Sequence, residues 1–371
     1  MDVNSFVIGY NKGKASGGGM KGLHKVQFFN DDGTLLYSVF VSDGANALYA
    51  GEPPISTVDD MLAFEGFQPV PTNVTEDMDC FAVYSEQFRT LDQTSWAKIS
   101  ELSENGMAQN YFAVGDTKMV HIEGHVGEYD YNEDYGVYIL GFDHNQELEG
   151  RGITFSAFKY DVRYYMPIAL IDDKYGSTIF NGEKRFSMNH WGNYNYGGWA
   201  GCDLRYDILG STDVAPSDYG AQVTTSRVGY DATESCATNP VPNTLMAALP
   251  SDLRAVMKPM TKYTDNKGNR STSSANVTAT IDYLPLLAEC EIFGKASYSN
   301  TYEANKQAQY DYYASGNSKV KYRQTDQSLC TWSSRSANKS NSESFSHISI
   351  SGNSGNYGAN TNVGLSPIFK V

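Results

Sequence analysis

The sequence predicts an α+β protein in three parts: an anchoring peptide with a glycine linker over residues 1–22, a small β module over 23–87, and a larger mixed domain over 88–371. Three observations lead there. The 27 Tyr, 17 Phe and 34 Gly favour strands joined by tight turns. The run Ala15-Ser16-Gly17-Gly18-Gly19 is a flexible spacer. Strict alternation of apolar residues dominates up to about residue 85, and helical spacing joins it afterwards.

Residues 2–14 predict a short helix capped by Asp2 or Asn4, with Phe6, Val7 and Tyr10 on one side. Thirteen residues with internal Gly would not hold as a helix alone, so these three side chains are expected to dock on a larger assembly. In the next part, Val26 and Phe28, then Leu36, Tyr37, Val39 and Val41, flank the turn Asn30-Asp31-Asp32-Gly33-Thr34. A second pair of strands follows around Phe64–Phe67 and Phe81–Tyr84. The segments Asp32-Gly33-Thr34-Leu35-Leu36, Phe64-Glu65-Gly66-Phe67 and Phe81-Ala82-Val83-Tyr84 resemble the small β-grasp-like repeat of bacterial surface and phage structural proteins. Gln68-Pro69 stands where that repeat usually has Trp. The resemblance implies a spacer or interaction module.

In the third part, Ser95 predicts an N-cap for a helix carrying Trp96, Ile99 and Leu102 at helical spacing. Strands are expected around 118–126 and 136–143. Further helices are expected from about Gly198 to Gly210, over Leu245–Val256 and over Leu286–Phe293. From residue 330 onward, the apolar-flanked anchors around Trp332 and Phe369 enclose a stretch of Asn, Ser, Gly and Tyr. Such residues bury little apolar area, so the stretch is expected to be a pinned polar face. Trp199, Leu204, Trp332 and Phe369 are expected in one core.

Several motif blocks occur in order: Gly141-Phe142-Asp143-His144-Asn145, Gly197-Gly198-Trp199-Ala200-Gly201-Cys202-Asp203-Leu204-Arg205, Leu286-Leu287-Ala288-Glu289-Cys290-Glu291-Ile292-Phe293-Gly294, Trp332-Ser333-Ser334-Arg335-Ser336 and Gly364-Leu365-Ser366-Pro367-Ile368-Phe369. Together with Phe112-Ala113-Val114-Gly115-Asp116-Thr117, Leu249-Pro250-Ser251-Asp252-Leu253 and Met257-Lys258-Pro259-Met260-Thr261-Lys262, their order within the roughly 280 residues of the third part resembles a domain family of unknown function from gut Firmicutes and their phages, related to the formylglycine-generating and retroelement-variable proteins. Ser333 and Ser366 depart from that family's pattern. The resemblance implies a C-type-lectin-like fold carrying adaptable loops on a rigid frame.

A formal charge of −15 excludes an extended phosphate-binding surface as the chain's main business. The densest basic run, Lys319–Arg323, reads as one strand face. Five cysteines, at 80, 202, 236, 290 and 330, with no CxxC, are expected to be buried thiols. No basic segment followed by an apolar stretch opens the chain, and no run reaches the ~20 apolar residues that span a bilayer. The chain is therefore expected to be made in a cytoplasm without ordinary export and without membrane insertion.

His121, Glu123 and His125 share one face of a strand, a pattern that could hold a metal but reads as a solvated strand face. His144 reads as a turn residue and His190 as part of a Tyr/Asn-rich loop. Cys202 and Cys290 read as small buried hydrophobes, not as the paired thiols of a formylglycine-type enzyme. Nucleophile elbows, phosphate loops, dinucleotide fingerprints and calcium-lectin triplets are missing from the sequence, so no cofactor or metal is expected. The acidic, aromatic run Glu128–Tyr135 is open between a recognition loop and a solvated hairpin tip.

The function expected is non-enzymatic: a phage virion structural protein on the particle surface, either a head-decoration fibre or a tail-associated adhesin. Its N-terminus would meet capsid or tail proteins, and it would form a homo-oligomer. A host-surface protein or glycan would meet Asn338, Asn341, Ser344, His347, Asn353, Asn356, Tyr357 and Asn360, all expected to be largely exposed on one side. The rival expectations are a bacterial surface or secreted binding protein and a formylglycine-generating-type enzyme.

Overall fold

The computed structural model describes residues 22–126, 129–160, 166–169, 186–189, 192–213, 235–323 and 327–371. The helix expected over 2–14, with Phe6, Val7 and Tyr10, lies outside these residues, as does His190. The chain divides into two compact units, within residues 1–89 and 90–371. The boundary falls two residues beyond the one read from sequence. Arg89 is tied back into the first unit by its N–H to the Met61 carbonyl (2.6 Å) and its Nε to the Leu62 carbonyl (3.3 Å).

In the first unit, β1 (Leu23–Phe29), β2 (Leu35–Ser42), β3 (Leu62–Gln68) and β4 (Met78–Phe88) form one sheet in the order β2-β1-β4-β3. The β1–β2 pair is antiparallel around the 30–34 turn, whereas β1 and β4 run parallel. Alternation puts Val26, Phe28 and Cys80 on one face with Tyr37, Val39, Val41 and Phe67 packed around them. Asp31 closes the base of the turn by accepting hydrogen bonds from Ser56 Oγ (2.6 Å) and Thr57 Oγ1 (2.8 Å).

The second unit mixes strands with short helices. Helix α1 (Trp96–Glu104) starts at Ser95, whose hydroxyl accepts from the Lys98 N–H. The long hairpin β5 (Thr117–Val126) and β6 (Tyr129–Phe142) continues through β7 (Ile153–Tyr160), β8 (Met166–Ala169), β11 (Lys321–Arg323) and β12 (Leu329–Cys330) into one sheet. The last strand, β16 (Ile368–Lys370), joins it beside β7. Strands β9 (Met260–Asp265) and β10 (Val277–Asp282) form a separate antiparallel pair. The antiparallel sheet β13 (Trp332–Ala337), β14 (Ser344–Ile348) and β15 (Ser354–Gly358) has β15 at its edge.

The helices are shorter than their apolar periodicity suggests. The 245–256 segment breaks at Leu249-Pro250 into α4 (Leu245–Ala248) and α5 (Ser251–Arg254), following α2 (Gln146–Glu149) and α3 (Asp203–Asp207). Helix α6 (Glu289–Phe293) begins three residues late, because Leu286 and Leu287 are spent pairing with other segments. The chain's helices are completed, among the described residues, by α7 (Asp311–Ala314).

Trp199, Leu204, Trp332 and Phe369 are all buried, but the central cluster takes in Trp332 without the other three. Phe369 stacks on Phe155 (5.2 Å) and meets the edge of Trp96 (5.9 Å). Trp199 donates Nε1–H to Asp282 (3.1 Å), whose other oxygen takes Arg205 Nε at 2.6 Å. Trp332 lies in the central cluster with Tyr138, Leu140, Leu287, Tyr310, Ile348 and Ile368. Its Nε1–H reaches the Lys319 carbonyl (2.9 Å), and the Lys321 ammonium sits 4.9 Å from its ring centre.

A buried ionic network binds the elements around that cluster. Lys262 Nζ meets Glu149 (2.8 Å), Glu291 (3.0 Å) and the Tyr310 hydroxyl (2.9 Å). Arg335 meets Glu291 at 2.6 Å, Thr264 Oγ1 at 2.9 Å and the side-chain carbonyl of Gln307. All four charged side chains are fully enclosed. Burial alone would raise the Glu291 pKa, but Arg335 and Lys262 overcome it and hold the carboxyl at about 2.

The walls of Trp332's site come from several separate segments, so truncation leaves a cavity that none of them can close. Trp332→Ala is expected to lower unfolding free energy by about 3–5 kcal/mol, measured by denaturant titration.

Candidate binding surface

The expected polar face divides into an inner and an outer half. Asn353, Asn356 and Tyr357 are exposed, and Asn341 and Asn360 are half-buried. Asn338, Ser344 and His347 are buried, so the expectation of eight exposed groups is corrected for these three. Asn338 turns its side-chain oxygen onto the Ser340 and Asn341 N–H groups (2.8 and 3.1 Å), and Asn341 does the same for Glu343 (2.9 Å). Both amides build the β13–β14 turn, a role for which Asn is suited by its short acceptor. His347 pairs with Gly355 across β15 and lies under the Tyr357 ring (4.3 Å between centroids). Burial lowers its pKa to about 4, so it is neutral at physiological pH.

Four loops meet here: the turn itself, residues 338–343, and residues 193–197, 266–273 and 295–306. Asn195 ties three of them. Its amide donates to the carbonyls of Asn341 (2.8 Å) and Ser344 (2.7 Å), and its oxygen accepts from the Asn269 N–H (2.9 Å). The fit leaves no room for a side chain at Gly268: with φ +61°, its Cβ would stand 1.8 Å from the Asn195 carbonyl oxygen. Lys339 N–H to the Tyr298 carbonyl (2.9 Å) and the bridge between Ser299 and Asn338 fasten the third loop to the turn. Asn300 reaches Asp265 (2.7 Å) and the Ser273 carbonyl (3.0 Å).

Buried carboxylates support the loops from beneath. Glu289 accepts from the Tyr298 and Ser299 N–H groups (2.9 Å each), from Ser299 Oγ (2.7 Å) and from Ser354 Oγ. Glu303 accepts from the Asp265 N–H (2.9 Å) and Ser336 Oγ (2.6 Å). Burial dominates its titration and raises its pKa to about 7. Each of these acids holds backbone or hydroxyl donors in place, an architectural use of charge.

What the loops present outward is aromatic and amide: Tyr196, Tyr298 and Tyr302 are exposed, with Asn193, Asn269 and Asn305 among them. Asn193 also stands beside Gly358 at the end of β15, which brings the exposed Asn356 and Tyr357 to the border of the same surface. Sequence reading passed over the three tyrosines. The signal was there in Asn193-Tyr194-Asn195-Tyr196 and Tyr298-Ser299-Asn300-Thr301-Tyr302, the same composition that marked the C-terminal stretch.

Elsewhere, His121 and His125 pair across the hairpin with Asp134 and Asp130, each at 2.8 Å. No group of three or more metal-ligating side chains converges among the described residues. The described part of the 128–135 run is strand, not loop: Tyr131 and Tyr135 point into the core while Asp130 and Asp134 face the histidines. His144 has the turn position expected, between two residues of positive φ. Its ring, however, stacks on Tyr310 at 3.6 Å. Burial and then the Lys262 charge push its pKa to about 3. All five cysteines are buried, with no disulfide between them.

Compared with protein-family models, curated proteins and solved structures, the chain matches none of them.

Glu303 gives that surface a pH dependence. Its folded pKa lies above the ordinary glutamate value, so its neutral form suits the folded state. The associated stability is complete below about pH 4.5 and is lost as pH rises through about 7. Glu303→Gln keeps an acceptor and a donor for the same partners. It is expected to raise stability at pH 8 by about 1–3 kcal/mol and to change little at pH 4.5, as thermal melts at the two pH values would show.

Proposed function

We propose that this chain is a non-enzymatic binding protein carried on a phage particle, as head-decoration fibre or tail-associated adhesin, with the second unit meeting a host-surface or environmental ligand. The observation that carries this reading is the four-loop surface: exposed Tyr and Asn side chains on turns that are held by buried Asn195, Glu289 and Glu303. Tyr offers a large contact area at little entropic cost, and Asn adapts its hydrogen bonds, so this combination suits recognition more than chemistry. The frame beneath is ordered before any ligand arrives, which spares the cost of ordering loops on contact.

The finer assignments follow from the same reading. The second unit would be C-type-lectin-like, with loops on a rigid frame. The first would be a β-grasp-like spacer, supported by its β2-β1-β4-β3 order with β1 and β4 parallel. The peptide with Phe6, Val7 and Tyr10 would fasten the chain to capsid or tail proteins, and the chain would act as a homo-oligomer.

Two measurements test the proposal. Gold-labelled antibody against the chain should decorate particles in electron micrographs, and removal of residues 1–15 should abolish decoration while the remainder still folds. Undecorated wild-type particles would remove the virion assignment. The double change Tyr298→Ser with Tyr302→Ser should leave stability within about 1 kcal/mol and weaken attachment to host cells about tenfold or more. Unchanged attachment would place recognition elsewhere on the chain.

A further inference from the structure

The four loops also gather charge that the linear sequence scatters. Lys267, Arg270, Lys295 and Lys306 are exposed on them, and Lys339 is half-buried with Nζ on the Ala296 carbonyl (3.1 Å). The exposed acid among the described residues of these loops is Glu343 alone, which faces the Asn193 amide at 3.5 Å. Glu303, the other acid in the four segments, is enclosed and hydrogen-bonded. Four exposed cations against one carboxylate make a positive patch on a chain of formal charge −15. Tyr298 and Tyr302 lie between Lys295 and Lys306 in sequence, and Lys306 is held with Nζ 5.4 Å from the Tyr263 ring centre.

We propose that this patch binds an anionic carbohydrate polymer, one that carries carboxylates on sugar rings. The inference rests on the binding-surface reading above and names its ligand class. Cations supply ion pairs to spaced carboxylates. Exposed Tyr rings stack on the apolar faces of sugars, and the amides of Asn269 and Asn305 meet hydroxyl groups. A nucleic acid is a poorer fit, because a duplex places about one charge per 1.7 Å, and the net-negative remainder of the chain repels that denser charge more strongly than the spaced carboxylates of a sugar polymer. That same repulsion makes the patch selective, since a polyanion is attracted only where the local field is reversed.

The test uses the full chain immobilised on a sensor, with polygalacturonate, neutral dextran and single-stranded oligothymidylate as probes. Polygalacturonate should bind and dextran should not, and raising the salt from about 50 to 500 mM should release it. Lys267→Ser with Arg270→Ser should weaken binding about tenfold, while Arg151→Ser, an exposed cation outside the four loops, should leave it unchanged. Equal retention of dextran, tighter binding of oligothymidylate, or no binding of polygalacturonate would each overturn the assignment. Cell attachment that depends on Tyr298 and Tyr302 without polygalacturonate binding would overturn the charge argument alone and leave the binding surface in place. Loss of both would remove the surface as well.

Discussion

The interaction on which the second unit depends is the enclosed pairing of Glu291 with Arg335 and Lys262. Bringing such charges out of water is expensive, and the cost is met only when every oxygen and every N–H finds a partner. Here Glu291 has Arg335 on one oxygen and Lys262 on the other, and it also accepts the Ala288 N–H at the start of its own helix. Arg335 spends its remaining donors on Thr264, Gln307 and the Leu286 carbonyl. These partners come from β9, α6, β13 and the segment before α7. Correct assembly of all four is therefore a condition for the charges to be buried at all. The Asn/Ser-rich β13–β14–β15 sheet has little apolar material of its own and takes its position from Trp332 and Arg335.

That arrangement explains why a polar segment can be rigid. Ser334 Oγ donates to the Ser346 carbonyl (3.1 Å), Ser336 Oγ to Glu303, and Ser354 Oγ to Glu289. Serines that would be solvated in a loose loop instead serve as short, rotamer-poor links between buried carboxylates and strands. Glu291 and Glu303 sit in the same interior with opposite displacements. Glu291 faces two cations that outweigh its burial, whereas for Glu303 burial outweighs its neutral donors and the more distant Arg335. One side of the frame is thereby weakened by acid and the other by base.

Local signals in the sequence were sufficient for some elements and silent for others. Ser95 ahead of Trp96, Ile99 and Leu102 announced α1, and the Asp-Gly turn with its flanking alternation announced β1 and β2. Both depend on neighbours within a few residues. Lys262, Glu291 and Arg335 gave no such signal. Each looks like an ordinary surface residue, and only contacts across 28 to 113 positions reveal it as core. Trp199, Trp332 and Phe369 were legible as buried, but their partners were not, because burial follows from side-chain type while partnership follows from topology. Asn338 was misread for a related reason: the preference of Asn for turns and its usefulness at binding faces leave the same mark on composition.

The loop surface shows how those two uses of Asn coexist. Asn195 and Asn300 are buried and spend their amides on carbonyls, N–H groups and Asp265, and buried Asn338 spends its side-chain oxygen on two N–H groups; Asn193, Asn269 and Asn305 stand a few residues away and are exposed. Replacing a buried member leaves backbone groups unsatisfied, for Asn195 the Asn269 N–H in one loop and the Asn341 and Ser344 carbonyls at another, which is costly. Replacing an exposed member alters only what solvent or a ligand meets. The same four segments thus carry a fixed set of amides that define the loop paths and a free set that the paths display. A surface organised in this way can change its outward chemistry, including the cations at 267, 270, 295 and 306, without disturbing the interior that holds it.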